Sequence, residues 1–98
     1  MALLQLTMIP VGAGVSVGEY VVEIQKRLEK EGATFRLNDM GTIIEGEVQE
    51  LFKLLGKIYE TPFEQGATRV VTQIAIDDRR DKEIHIGDKI LSVIQRDP

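Results

Sequence analysis

Polar and apolar residues alternate along the start of the chain. From Ala2 to Val11, Leu4, Leu6 and Met8 fall on one face, and Leu3, Gln5, Thr7 and Ile9 on the other. A period of two over this length predicts a strand whose second face is the wetter one. "PVGAG" breaks it, and the period then becomes helical. Val17, Tyr20, Val21, Ile24 and Leu28 recur on one stripe, predicting a helix over about 17–30. Ser16 with Glu19 three residues on forms a capping box, Glu23 and Arg27 pair one turn apart on the wet side, and Gly32 is a natural stop.

Alternation returns in "ATFRLND", with Phe35 and Leu37 directed to the core, and "DMG" signals a turn. The segment Thr42–Glu47 therefore comes back antiparallel as a hairpin. A second helical stripe, Val48, Leu51, Phe52, Leu55, Ile58 and Tyr59, predicts a helix over about 48–59, with Leu54 and Gly56 off the pattern and "TPFEQG" closing it. Thr68–Asp77 reads as the fourth strand: Val70, Thr72, Ile74 and Ile76 share one face, and Arg69, Val71, Gln73 and Ala75 the other. After "DDRRDKE", the residues Ile86, Ile90, Val93 and Ile94 predict a short last helix over about 86–95.

The order βαββαβ plus a terminal helix predicts an α+β, ferredoxin-like sandwich. Two right-handed crossovers interleave around a central hairpin, giving a four-stranded antiparallel sheet with two helices on one face. The 98 residues suffice for one such domain, spanning 1–98, and not for two. The second face of the sheet is expected to be uncovered in a monomer. It carries Leu3, Ile9 and Val71 among Gln5, Thr7 and Gln73, too apolar to be left wet and too polar for a dry core. Packing on another subunit, holding a ligand, or both follow as expectations.

Charge and composition narrow the function classes. A net charge of −4 argues against sequence-independent nucleic-acid binding and suits a cationic ligand. With no Cys and one His, neither a thiol nucleophile nor a transition-metal site is expected. No apolar run approaches the roughly 20 residues of a membrane span. The first ten residues lack the basic region and cleavage site of a secretory signal, so a cytoplasmic location is the default expectation.

Several stretches invite chemistry and are better explained by structure. Gly12, Gly14 and Gly18 have the spacing G-x-G-x-x-x-G instead of a dinucleotide fingerprint, so they are read as loop-shaping, although amides at the start of the first helix remain candidates for an anion. Ser16 is explained by capping, with no His–Asp pair in view. His85 is expected to be solvated. "DDRRDKE" is expected to be a self-paired turn; its acids match no calcium loop. Glu45 stands apart. In "MGTIIEGE" it follows an apolar pair, and alternation places it on the open face if Thr42, Ile44 and Gly46 face the helices. One reading is a salt bridge to Arg36 or Arg69 across the sheet. The other sets Glu45 near Gln5, Thr7 and Gln73 beside aliphatic residues, a mixture suited to a small polar heterocycle.

Three stretches, "SVGEYV" (Ser16, Val17, Tyr20, Val21), "NDMGTIIEGE" and "GATRVVTQIAIDDR", resemble the thiamine-binding proteins, a small family long without an assigned role. The resemblance runs from about Leu6 to Lys82 and is most specific in "MGTIIEGE" with the later G-x-x-R-V. It implies a ferredoxin-like domain without a catalytic role, assembled as a homodimer or homotetramer through its sheets, that binds thiamine or its hydroxymethylpyrimidine precursor. With that ligand Glu45 is expected toward a ring nitrogen or the cationic thiazolium, and Asn38, Gln73 or Thr42 toward the amine and its neighbouring nitrogen; Gln5, Thr7 and Ser16 complete the candidate set. No cofactor, metal, nucleic acid or membrane is implied. The alternatives are a structural or regulatory subunit without a ligand, and an enzyme acting on a small metabolite.

Overall fold

A computed structural model describes residues 1–12 and 17–96. The strands are β1 (Ala2–Pro10), β2 (Thr34–Asn38), β3 (Gly41–Gly46) and β4 (Val70–Asp78). The helices are α1 (Val17–Lys30), α2 (Val48–Ile58), α3 (Thr61–Glu64) and α4 (Asp88–Arg96). The strands form one antiparallel sheet in the order β2-β3-β1-β4, the ferredoxin-like sandwich expected from the element order.

Register fixes which residues share a face. Leu4 lies between Ile44 and Ile76, Leu6 between Thr42 and Ile74, and Phe35 opposite Ile44. These residues face the helices. Ala2, Leu4, Leu6, Met8 and Ile44 meet Ile24 and Leu28 of α1 and Leu51 and Ile58 of α2 in one aliphatic core. α1 starts and ends where its apolar stripe predicts, and Gly32 takes φ +73 just beyond it, the left-handed stop that glycine adopts without strain. The proposed cap Ser16, and Gly14, lie outside the described residues. "TPFEQG" does more than close α2: Thr61–Glu64 forms the short helix α3, with Pro62 buried and Gly66 at φ +104.

The stripes predict the buried positions unevenly. Tyr20, Ile24 and Leu28 are buried, whereas Val17 is half exposed. On α2, Phe52 and Tyr59 are exposed, and Leu54, off the pattern in sequence, packs against the core. β4 shows why. α2 packs on β3 and α1, so the helix-facing side of the edge strand β4 is left partly uncovered, with Ile74 and Ile76 about 40% exposed (42% and 39%).

The opposite face differs from the bare surface expected. After β4 the chain turns through Arg79–Asp81 and Arg80–Asp78 ion pairs, the self-paired turn expected of "DDRRDKE". It then crosses the β2–β3 side of this face, burying Ile84 and bringing Gly87 beside the Arg36 guanidinium. α4 follows and buries none of its own residues; Ile90, Leu91, Val93 and Ile94 are all more than half exposed (53–66%).

Candidate functional site

Glu45 has a partner that sequence alternation did not suggest. It sits opposite Leu3 and Thr34, near one end of the sheet. The crossing segment reaches it there. His85 Nδ1 donates to Glu45 Oε2 at 2.7 Å, and the Ile86 amide donates to Oε1 at 3.1 Å. Both carboxylate oxygens are engaged within the chain, and the side chain is 14% exposed. Lys89 at the start of α4 pairs with Asp77 beside it, and the His85 amide donates to the Asp88 carboxylate at 3.0 Å. Glu45 is thus the anchor of the C-terminal segment. The expectation that it meets Thr7 and Gln73 is corrected by register. Thr7 lies opposite Gln73 and against Gly41, four residues along β3 from Glu45, or about 13 Å at the strand rise. Gln5, opposite Ile43, is a diagonal neighbour of Glu45. Neither Arg36 nor Arg69 bonds Glu45, and His85 is exposed as expected (49%), with its ring held to Glu45.

The pair has a pH signature. The hydrogen bond from His85 holds the Glu45 carboxyl below the ordinary carboxylate range, against the opposing effect of burial, and the Ile86 amide adds to the lowering. The hydrogen bond to Glu45 raises the His85 imidazole in turn, with Asp88 and Glu83 contributing. A lowered carboxylate contributes stability above its unfolded value of about 4.5 and loses it as pH falls; a raised imidazole contributes below about 6.5 and loses it as pH rises through the folded value. The joint contribution therefore peaks between these limits. Thermal midpoints measured from about pH 2 to 9 should show that hump in the wild type and a weaker one in Glu45→Gln; superimposable profiles would remove Glu45 from this role.

A cavity lies at the other end of the sheet. It opens between the first turns of α1 and the β2–β3 hairpin, with a volume of about 650 Å³. Its walls are largely aliphatic: Leu6 and Met8 from β1, Val17, Val21 and Ile24 from α1, and Leu37 from β2. The polar groups are few and converge. Gln25 Nε2 donates to Thr42 Oγ1 at 2.9 Å on the cavity floor, where Thr42 is buried. Thr7 Oγ1 donates to the Met40 carbonyl at 3.1 Å, and Asn38 and Asp39 border the hairpin side. Gly41 lets the hairpin close on β1: a Cβ there would lie 2.9 Å from Thr7 Oγ1 and 3.0 Å from the Leu6 carbonyl.

Of the residues proposed from sequence, Thr42, Asn38 and Thr7 meet at this cavity. Gln5 and Gln73 stand exposed on the open face, Glu45 is taken by His85, and Ser16 lies outside the described residues. Sequence reasoning missed Gln25, although a signal was present: it continues the 17–21 spacing by another four residues, a polar side chain set into an apolar stripe. Asp39 and Met40 had no such signal, because only the hairpin geometry turns them to the cavity. Among the described residues no group of three or more acidic or imidazole side chains is arranged to hold a metal.

A small ferredoxin-like sandwich with an aliphatic cavity at the hairpin end defines a structural class more than an activity. Comparison with known proteins gives the family. Residues 4–94 match the pattern of the family described as Thiamine-binding protein, and the chain belongs to that family. The protein YqgV of Bacillus subtilis, of the UPF0045 group, is 46% identical over 98 residues, covering 95% of this chain and 94% of that one. A UPF0045 protein of Staphylococcus xylosus is 42% identical over 95% of this chain and 92% of its own length. Among solved structures, a hypothetical protein of Methanocaldococcus jannaschii superposes with a TM-score of 0.83 at 31% identity, covering 96% of both chains. A Thermotoga maritima protein provisionally assigned to thiamine biosynthesis or salvage superposes with a TM-score of 0.80 at 21% identity, covering 94% of this chain and 97% of that one, a likeness of fold.

Proposed function

We propose that the protein is a non-catalytic binder of thiamine or its hydroxymethylpyrimidine precursor, with the pyrimidine ring held in the cavity between α1 and the β2–β3 hairpin. The observation that carries this reading is the pairing of Gln25 with Thr42 on an aliphatic floor. Because the Thr42 hydroxyl accepts from Gln25, its own proton is free to donate to a ring nitrogen. The Gln25 carbonyl is then an acceptor for the exocyclic amine next to that nitrogen. Leu6, Met8 and Val21 supply flat apolar walls, the usual setting for such a ring. Asn38 and Thr7 stand at the mouth for the hydroxymethyl group or the second ring.

Membership in the thiamine-binding family supports the ligand class. The side chains at the cavity support binding over turnover: hydroxyls, amides and one carboxylate, with the imidazole at the far end of the sheet. No helix among the described residues is long and apolar enough to cross a membrane.

The protein acts as a homodimer or homotetramer on this reading, formed through sheet faces and edges. Ile9 and Val71 on the open face, Ile74 and Ile76 on the edge strand, and the α4 stripe are apolar surface that a second copy would cover. Ile9 also borders the cavity, so such an assembly brings a subunit boundary to its rim. The same surfaces favour the second reading, a structural subunit with no ligand. Titration calorimetry with thiamine and with hydroxymethylpyrimidine, on protein whose mass is set by sedimentation, separates the two. Saturable heat from both supports the cavity reading; a correctly assembled oligomer that gives no heat at millimolar ligand supports the structural one.

A further inference from the structure

The cavity carries a charge pattern that the ring-binding reading does not use. Of its described lining residues, one is ionisable, Asp39 in the turn between β2 and β3. Arg36, on the open face beside Gly87, and Arg69, next to β4, do not line the cavity. Around Asp39 the rim is apolar and exposed: Leu37 is 53% and Met40 85% exposed, and Val22 faces them from α1 at 50%. An apolar rim with one carboxylate and no basic side chain suits an organic cation with a flat apolar ring and disfavours a phosphate ester.

We propose that Asp39 is a specificity residue that selects the free thiazolium cation over thiamine phosphates. The inference rests on the cavity reading above. The pyrimidine end of the ligand is neutral and meets Gln25 and Thr42; the thiazolium end is permanently positive and lies toward the hairpin, within the reach of Asp39. A pyrophosphate on the same ligand reverses the charge of that end, and no basic side chain among the described lining residues meets it. Hydroxymethylpyrimidine lacks the charged ring and is indifferent to Asp39. The three molecules therefore separate the two ends of the site.

Calorimetric titration of the full chain with thiamine, thiamine pyrophosphate and hydroxymethylpyrimidine tests this, on wild type, Asp39→Asn and Glu29→Gln. Glu29 is an exposed residue near the far end of α1 and controls for the overall field of a protein of net charge −4. The wild type should bind thiamine at least about tenfold more tightly than the pyrophosphate. Asp39→Asn should weaken thiamine about three- to tenfold, as expected of one partly solvated charge contact, and narrow its preference over the pyrophosphate. It should leave hydroxymethylpyrimidine within about twofold, and Glu29→Gln should leave thiamine within the same margin. Added salt should weaken thiamine binding to the wild type more than to Asp39→Asn.

Unchanged thiamine affinity in Asp39→Asn, with hydroxymethylpyrimidine still bound, overturns the role of Asp39 and leaves the cavity reading standing. Equal losses for thiamine and the neutral pyrimidine make Asp39 a structural residue of the turn and also overturn it. Failure of all three ligands to bind the wild type removes the cavity reading itself, and this inference with it.

Discussion

A Val21→Trp variant is expected to lose thiamine affinity by at least about a hundredfold while keeping its fold. Val21 stands on α1 at the cavity wall, one turn before Gln25, and is only partly buried. Its side chain borders open volume, so an indole there grows into the proposed ligand space instead of into packed neighbours. A ring site that depends on apolar walls and two placed hydrogen bonds has nowhere else to put the pyrimidine. The circular dichroism spectrum and thermal midpoint should stay close to wild type, because Tyr20, Ile24 and Leu28, which seat α1, are untouched. Near wild-type affinity in a folded Val21→Trp protein would place the ligand elsewhere, with the open sheet face as the next site to search.

The second large effect concerns stability. Leu28 has no exposed surface and packs from the last turns of α1 into the aliphatic core with Leu51 and Ile58. Leu28→Ala should cost about 2–5 kcal/mol, the range for a buried leucine whose cavity cannot fully collapse. That is a large share of the roughly 5–15 kcal/mol available to a domain of this kind. Urea denaturation measures it, and ligand should raise the midpoint of the variant as it does that of the wild type. Affinity measured where the variant is still folded should change little, since Leu28 lies beyond the cavity. A loss below about 1 kcal/mol would mean that α1 is not seated on the sheet as described.

The two variants divide α1 into a packed half and a half that lines the cavity, and the sequence announced only the first. A stripe at helical spacing states that one side of the helix is buried. It does not state against what. Val17 and Val21 belong to the same stripe as Ile24 and Leu28, yet they face a cavity, because the β2–β3 hairpin stops short of closing over the first turns of the helix. The same limit applies to β4. Ile74 and Ile76 have the right alternation for a core, and the sideways placement of α2 on β3 leaves them uncovered.

Part of the cavity lining was legible in the sequence. Thr42, Asn38 and Thr7 come together as polar groups near an aliphatic surface, although on the helix side and rim of the sheet instead of in the middle of its open face. Glu45 drew attention as a carboxylate following an apolar pair, and in this structure its partners lie within the chain. It holds His85 and Ile86, forty residues later in the chain. No local pattern pairs residues at that separation.

Local chemistry in the chain, namely alternation, helical spacing, glycine stops and the hairpin signal, determined the elements, their order and hence the α+β sandwich, because each depends on the backbone and its near neighbours. Which apolar side chains became core, which became cavity wall and which stayed exposed was decided only by the packing of helices on the sheet. So were the closing of His85 on Glu45 and the meeting of Gln25 with Thr42. These are contacts between segments far apart in sequence, and their partners are selected by the geometry of the whole fold, which no single stretch contains.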